Sequence, residues 1–381
     1  MLYQHAIKTV LLTSLALLVG SVIASPDKSV NATVTYGIDD NPFNLTESLN
    51  GVEQNFIFGE FSARTNFNKF FYLSAKADKV VYPDDPRADQ FQGFASARIN
   101  TRFKAFGEKF RFKLGGNYRV KDKTYVSKVT GLVGTYRGQS IADRYDWDQT
   151  TAETELNYYT TKNLMLEFKY QNRAKDYVDL LIDGVSDFSY KHNRYTLGLE
   201  YKASKLGRFF INGTFNERVY NDKRGRDLFG DEIAGTDLIY TFHTLNLGYI
   251  YRPNKKVRWR YTYQYEERRD NTSGYYNATK GYVALSATHQ FGDYQHLKVK
   301  AKYSKFSLIN QNVFDPLELE EMANDRKGLS LTLGYEWVFA TLFDTNIALY
   351  SEIDYANFES FDVTYTHESR RFSLGLRWSG F

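Results

Sequence analysis

The chain has 381 residues, no cysteine, and 49 Lys and Arg against 45 Asp and Glu, a formal net charge of +4. Without thiolates it can hold neither a disulfide framework nor a Cys-based zinc site, and its near-balanced charge gives no reason to expect a nucleic-acid partner. Aromatic residues reach 17%, with 31 Tyr and 29 Phe; such residues suit strands, and Tyr and Trp favour membrane interfaces.

Lys8 precedes an apolar run from Thr9 to Ile23, and Val22-Ile23-Ala24 ends it. This reads as a secretory signal peptide over residues 1–24, cleaved after Ala24. A membrane-anchor helix is disfavoured, because the run is shorter than the roughly 20 residues needed to span and no polybasic stop follows. With no Cys at the cleavage position, a lipoprotein is excluded. Residues 25–381 show no domain boundary, linker or helical repeat and read as one domain.

From there the same alternation recurs. Val30, Ala32, Val34 and Tyr36 share one parity, as do Ile57, Gly59, Phe61 and Ala63. Phe71, Leu73, Ala75 and Ala77 follow, then Gly93, Ala95, Ala97 and Ile99, then Phe110 to Val120 at even numbers. The second half continues through Leu156 and Tyr158, Leu164 to Tyr170, Tyr195 to Tyr201, and Phe209 to Phe215. Leu245 to Tyr251, Val257 to Tyr265, Val283 to Ala287, Leu297 to Tyr303, Leu329 to Trp337, and Ile347 to Ile353 complete the run before the last strand. A period of two puts each set on one face of a strand. Short turns such as 106–109, 160–163 and 253–256 alternate with longer connections near 38–53, 122–146, 178–190, 221–238, 311–327 and 359–368.

The chain closes with Phe372, Leu374, Leu376 and Trp378 alternating with Arg371, Ser373, Gly375 and Arg377, and ends on Phe381. Its parity differs from theirs by one residue, which a bulge at Ser379-Gly380 would correct. About sixteen strands, an even number, with short and long connections in alternation, define an all-β chain: a transmembrane antiparallel up-and-down β-barrel of the bacterial outer membrane. Outer-membrane lipid is then the first partner.

On the outward face Tyr249, Tyr251, Trp259, Tyr261, Tyr335, Trp337 and Trp378 sit toward strand ends, where interface girdles belong. The inward face carries Arg98, Arg102, Arg111, Lys113, Arg119, Lys169, Arg173 and Arg194, then Arg218, Arg258, Arg260, Lys298, Lys300, Lys302, Arg371 and Arg377. Acidic residues of the same parity are Glu153, Glu155, Glu167, Glu200, Glu266, Glu336, Glu352 and Asp354, about half as many. Two readings stand. Rings of Lys and Arg behind a low-dielectric wall favour anions in the lumen; alternatively the charges neutralise one another as salt-bridge networks.

No catalytic residue, metal ligand or cofactor site is expected. His192, His243, His289, His296 and His367 are scattered singly, and no Gly-x-Ser-x-Gly elbow occurs. Asp39-Asp40 reads as a turn element with Asn41-Pro42, since adjacent residues point to opposite faces. His367-Glu368-Ser369 reads as a polar loop.

The stretch Val34-Thr35-Tyr36-Gly37-Ile38-Asp39-Asp40-Asn41-Pro42-Phe43-Asn44-Leu45 resembles the Tyr…Asp-Asn-x-Phe-x-Leu opening of porin-like barrels encoded in exopolysaccharide gene clusters. Gly37 and Ile38 lengthen the spacing between Tyr36 and Asp39 relative to that pattern. The resemblance implies an export conduit for an exopolysaccharide, working with a periplasmic polysaccharide-export protein. An acidic polysaccharide or another anionic solute would suit the basic lumen, and the loops near 122–146 and 311–327 are placed to constrict it. The rival functions are a general diffusion porin and a non-conducting barrel serving as adhesin, receptor or assembly partner.

Overall fold

The computed structural model describes residues 27–46, 52–67, 70–128, 130–178, 180, 182, 187–315, 320–342, 345–360 and 365–380. The leader 1–24 and Phe381, with its expected one-residue offset, lie outside the described residues.

The alternating segments become β1 (Asp27–Asp39), β2 (Gln54–Asn66), β3 (Phe71–Val81), β4 (Gln90–Ala105) and β5 (Glu108–Lys123). Two short strands, β6 (Thr135–Tyr136) and β7 (Gln139–Ser140), form a hairpin within the next connection. The wall resumes with β8 (Trp147–Tyr159), β9 (Leu164–Tyr177), β10 (Tyr190–Tyr201), β11 (Gly207–Tyr220) and β12 (Ile239–Tyr251). It continues through β13 (Val257–Asp270), β14 (Ala278–Phe291), β15 (Gln295–Asp315), β16 (Glu320–Leu342), β17 (Thr345–Ser360) and β18 (His367–Gly380). Sixteen of these close a barrel, each antiparallel to its chain neighbour, with β1 paired to β18. Closure leaves no open edge, the condition for strands to cross lipid.

The barrel inverts the burial of a soluble protein. On β1, Val34 is 50% and Tyr36 55% exposed, while Thr33 and Thr35 between them are 3% and 2% exposed. Leu197, Val283, Phe372 and Leu374 are likewise exposed, and Ser373 and Thr196 are buried. An apolar exterior around a polar interior is the arrangement that a hydrocarbon solvent selects.

The short turns, the start of β1 at Asp27 and the end of β18 at Gly380 lie at one rim, the longer connections at the other. One expected long loop is instead mostly strand. β15 and β16 run for 21 and 23 residues, extending through most of 311–327. At about 3.3 Å per residue such strands are roughly 70 Å long, far more than a tilted strand needs to cross an apolar band of about 25 Å. The hairpin therefore projects beyond the membrane, and a register shift between Leu308 and Asn312 marks the way. Hydrogen bonding between the two strands satisfies the backbone in place of a loop.

The seam between β1 and β18 is tight. A Cβ on Gly375 would lie 2.0 Å from the Val34 carbonyl oxygen, and one on Gly37 2.1 Å from that of Phe372. Gly375→Val is therefore expected to lower the stability of the detergent-folded barrel by about 1–3 kcal/mol. Gly59→Ala, on an outward position with open space around it, should stay within about 0.5 kcal/mol. Urea unfolding curves compare the two directly.

Candidate functional site

The barrel interior is the candidate site, and register places its side chains. One inward rung runs across five strands as Asn117, Thr151, Arg173, His192 and Arg218. The basic residues on this face are held in two different ways.

The first is by carboxylates. Arg98 meets Glu153 at 2.6 Å, and Lys169 meets the same carboxylate at 3.0 Å. Lys113 pairs with Glu155, Arg377 with Glu336 at 2.6 Å, Arg208 with Glu200 at 2.9 Å, and Lys76 with Glu60 at 2.8 Å. These pairs cancel charge one for one, except at Glu153, which Arg98 and Lys169 share.

The second is by aromatic rings. Arg371 lies 3.9 Å from the Phe56 ring centroid, Arg119 5.1 Å from Phe94, Arg260 5.1 Å from Phe210 and Lys302 4.6 Å from Tyr282. Toward the long-loop rim Arg218 lies between Tyr190 at 4.4 Å and Phe242 at 4.9 Å, and Arg268 lies 4.9 Å from Tyr240. Arg326 lies against Tyr365, and Lys175 lies 4.0 Å from Trp147. A ring quadrupole orients a cation and contributes about 0.5–2 kcal/mol, yet it carries no net charge. None of these eight ring-held cations makes an ion pair among the described residues.

The other expected basic residues take varied places. Arg111 donates from Nε to Asn100 Oδ1 at 2.7 Å, and Arg102 stands opposite it in register. Arg194 stands opposite Gln171 and Asn216, and Lys300 opposite Ser286 and Thr332. Arg258 and Arg260 line one recess with Arg208 and Glu200, and Lys298 shares another with Arg377 and Glu336. The aromatics Tyr249, Tyr251, Trp259, Tyr261, Tyr335, Trp337 and Trp378 all lie on the outward face near the short-turn rim, with Tyr249 opposite Tyr261 and Tyr251 opposite Trp259.

Parity reasoning missed Arg268, Arg326 and Lys175, and it missed the inward aromatics altogether. Arg268 shares the parity of Arg258 and Arg260 on β13 and was legible there. Arg326 falls in a stretch read as loop. The inward rings at Phe56, Phe94, Tyr190 and Tyr240 were obscured by assigning aromatics to lipid.

At the long-loop rim, connections fold inward. Phe43 and Leu45 of the first loop pack with Phe56, Val80, Tyr82, Ala88 and Val126. The segment 124–146 leaves the wall at β5, and its Lys128 carbonyl accepts the Thr46 amide at 3.2 Å. Burial, and then the charge of Arg326 on β16, hold the Lys128 ammonium below its ordinary range. β5 and β16 are seven strands apart around a ring of sixteen, so this segment crosses the mouth.

The Asp39-Asp40-Asn41 stretch acts as a clamp. Asp39 accepts the Asn41 amide at 3.0 Å and the Tyr82 hydroxyl at 2.9 Å. Asn41 Nδ2 donates to the carbonyls of Leu45 and Glu368, and its Oδ1 accepts the Leu45 amide. The Arg370 amide donates to Asp40 Oδ1 at 2.6 Å, which ties the first loop across the seam. His367 stacks on Phe358, and Glu368 pairs with Arg370. Among the described residues no group of three or more His, Asp or Glu side chains is placed to hold a metal.

A closed antiparallel barrel of sixteen strands with an apolar exterior and short turns at one rim defines a bacterial outer-membrane β-barrel of porin-like build. No family model matches the chain, and no curated protein matches it. Among solved structures it is similar to in-vitro folded OmpT, an outer membrane protein of Vibrio cholerae, at 13% identity and a TM-score of 0.42, covering 93% of this chain and 96% of that one. It is similar to OccAB2 of Acinetobacter baumannii at 10% identity and 0.44, covering 93% and 98%. A structure titled a bacterial polysaccharide outer membrane secretin is similar at 8% identity and 0.43, covering 93% and 98%.

Lys223, in the loop between β11 and β12, lies 4.3 Å from the Phe188 ring. Burial first, then the charges of Arg144, Arg226, Arg268 and Arg218, push its ammonium down to about 8 from an ordinary 10.5. As pH rises through about 8 the mouth therefore loses a positive charge. Between about 8 and 10.5 the unfolded chain binds more protons than the folded one, so this group makes stability rise with pH. In reconstituted barrels any anion preference is expected to fall between pH 7 and 9, and Lys223→Met should make that fall smaller. Reversal potentials measured across the range test this.

Proposed function

We propose that this barrel is an outer-membrane channel for anionic solutes, with an acidic exopolysaccharide as its cargo. One observation carries the reading. Among the described interior residues Arg119, Arg218, Lys175 and Lys302 lie against aromatic rings and make no ion pair, and a ring orients a cation without neutralising it. Inside a low-dielectric wall, such fixed charge concentrates anions and repels cations. A polymer with one negative group per few sugars would slide between stations of this kind, because no single site binds it tightly enough to hold it.

The direction of transport and the periplasmic export protein belong to the same proposal. They rest on the likeness of the first strand and loop to porin-like barrels of exopolysaccharide clusters. The clamp formed by Asp39, Asp40 and Asn41 gives that stretch a physical role: it locks the seam and seeds the apolar cluster at the mouth.

The test is a planar-bilayer recording of the purified chain under a salt gradient. The expected reversal potential is anion-selective. Replacing Arg258 and Arg260 together by Glu changes the local charge by four units, and should reduce the anion-to-cation permeability ratio by about threefold or more. A cation-selective channel, or a ratio unmoved by the double variant, would overturn the reading.

A further inference from the structure

The outward face between β10 and β14 holds a groove of about 500 Å3. Register sets its lining in two rows. Phe209, Tyr249 and Tyr261 form the row nearer the short turns, and Ile211, Leu247 and Tyr263 form the next. The Phe209 and Tyr249 rings stack with centroids 4.4 Å apart, which walls the groove on the rim side. One row further toward the membrane centre, Gly213 stands between Leu197 and Leu245 with open space around it. No side chain of its own closes the groove there.

Two short turns border this groove on the water side. The turn 202–206 carries Lys202 and Lys205, and 252–256 carries Arg252, Lys255 and Lys256, with no carboxylate in either. All five cations are exposed. The Arg252 amide donates to the Leu206 carbonyl at 2.6 Å, so the two turns form one ledge. Among the described residues only Lys256 of the five makes an ion pair, with Asp293 of the next turn at 3.8 Å. Five cations and one carboxylate leave a charge of +4. The turn 106–109 on another part of the rim has Glu108 beside Lys109 and no such surplus.

The spacing between ledge and groove matches a lipid. Tyr249 and Arg252 are three residues apart, roughly 10 Å at about 3.3 Å per residue. A headgroup layer is about 5–8 Å deep on each side of the hydrocarbon. We infer that groove and ledge form a binding site for one anionic phospholipid of the periplasmic leaflet, its acyl chains along the groove and its phosphate on the ledge. A neutral lipid fills the groove and leaves the ledge unmatched. An acidic periplasmic protein matches the ledge and does not reach a groove below headgroup level. An amphiphile with an anionic head meets both at once. The site does not depend on what the barrel conducts.

Native mass spectrometry of the detergent-solubilised full chain, titrated with lipid, tests this, with folding of each variant checked by heat-modifiable gel migration. Phosphatidylglycerol is expected to add one molecule at about one-tenth the concentration that phosphatidylcholine with the same acyl chains needs. Arg252→Gln combined with Lys255→Gln should raise the half-saturating phosphatidylglycerol concentration about tenfold. Lys104→Gln combined with Lys109→Gln, the same charge change elsewhere on that rim, should leave it unmoved. Leu247→Trp, which fills the groove, should weaken both lipids. Equal affinity for the two lipids, or equal losses from the two double variants, would overturn the site. So would phosphatidylglycerol binding that Leu247→Trp leaves intact, since the ledge alone would then hold an anion. An oligomer in light scattering that Leu247→Trp dissociates while lipid binding stays unchanged would give the groove to a second copy of the barrel and overturn the lipid.

Discussion

Everything in this molecule depends on the sheet closing on itself. In lipid an unpaired backbone group costs several kcal/mol, so a sheet with an edge cannot stay in the membrane. Closure falls to β1 and β18, the two strands farthest apart in sequence, and three devices secure it. Gly37 and Gly375 let the strands approach to a distance that a Cβ would forbid. Asn41 bonds to the Glu368 carbonyl, and Asp40 to the Arg370 amide, across the long-loop end of the seam. Inside, Arg377 of β18 donates to Thr33 of β1. The same residues thus fix the barrel and begin its lining.

Closure creates an interior whose charges cannot escape to bulk water, and the chain deals with them in two ways. Cations set against carboxylates, such as Arg98 and Lys113, satisfy one another and stiffen the wall. Cations set against rings, such as Arg218 and Arg268, gain orientation without losing charge. Composition left open an anion-favouring field and a neutralised network, and the wall holds both ion-paired cations and cations set on rings. Arg377 belongs to both, pairing with Glu336 and lying 4.0 Å from the Tyr350 ring.

Much of the fold was legible in the sequence because a period of two carries strong information when one face meets lipid. A slip of one residue would turn Val34 and Tyr36 inward and Thr33 and Thr35 outward. The strand count follows from that repetition. Two things were not legible. Residues 311–327 looked like a loop, because alternation weakens where a hairpin leaves the membrane and water bathes both faces. The inward aromatics carry no pattern of their own, yet Tyr190 and Tyr240 matter for the arginines beside them, and only register reveals those neighbours.

The central claim is that the interior field comes from cations held by rings, with the ion-paired ones contributing little. It is tested most directly by reversal potentials of two multiple variants. One neutralises whole pairs, with Arg98, Glu153, Lys113, Glu155, Arg377 and Glu336 all changed to Gln. The other changes Arg119, Arg218 and Lys302 to Gln. The expected result is a near-unchanged potential for the first and a clear shift toward cations for the second. Equal shifts, or no shift in the second, would contradict the account.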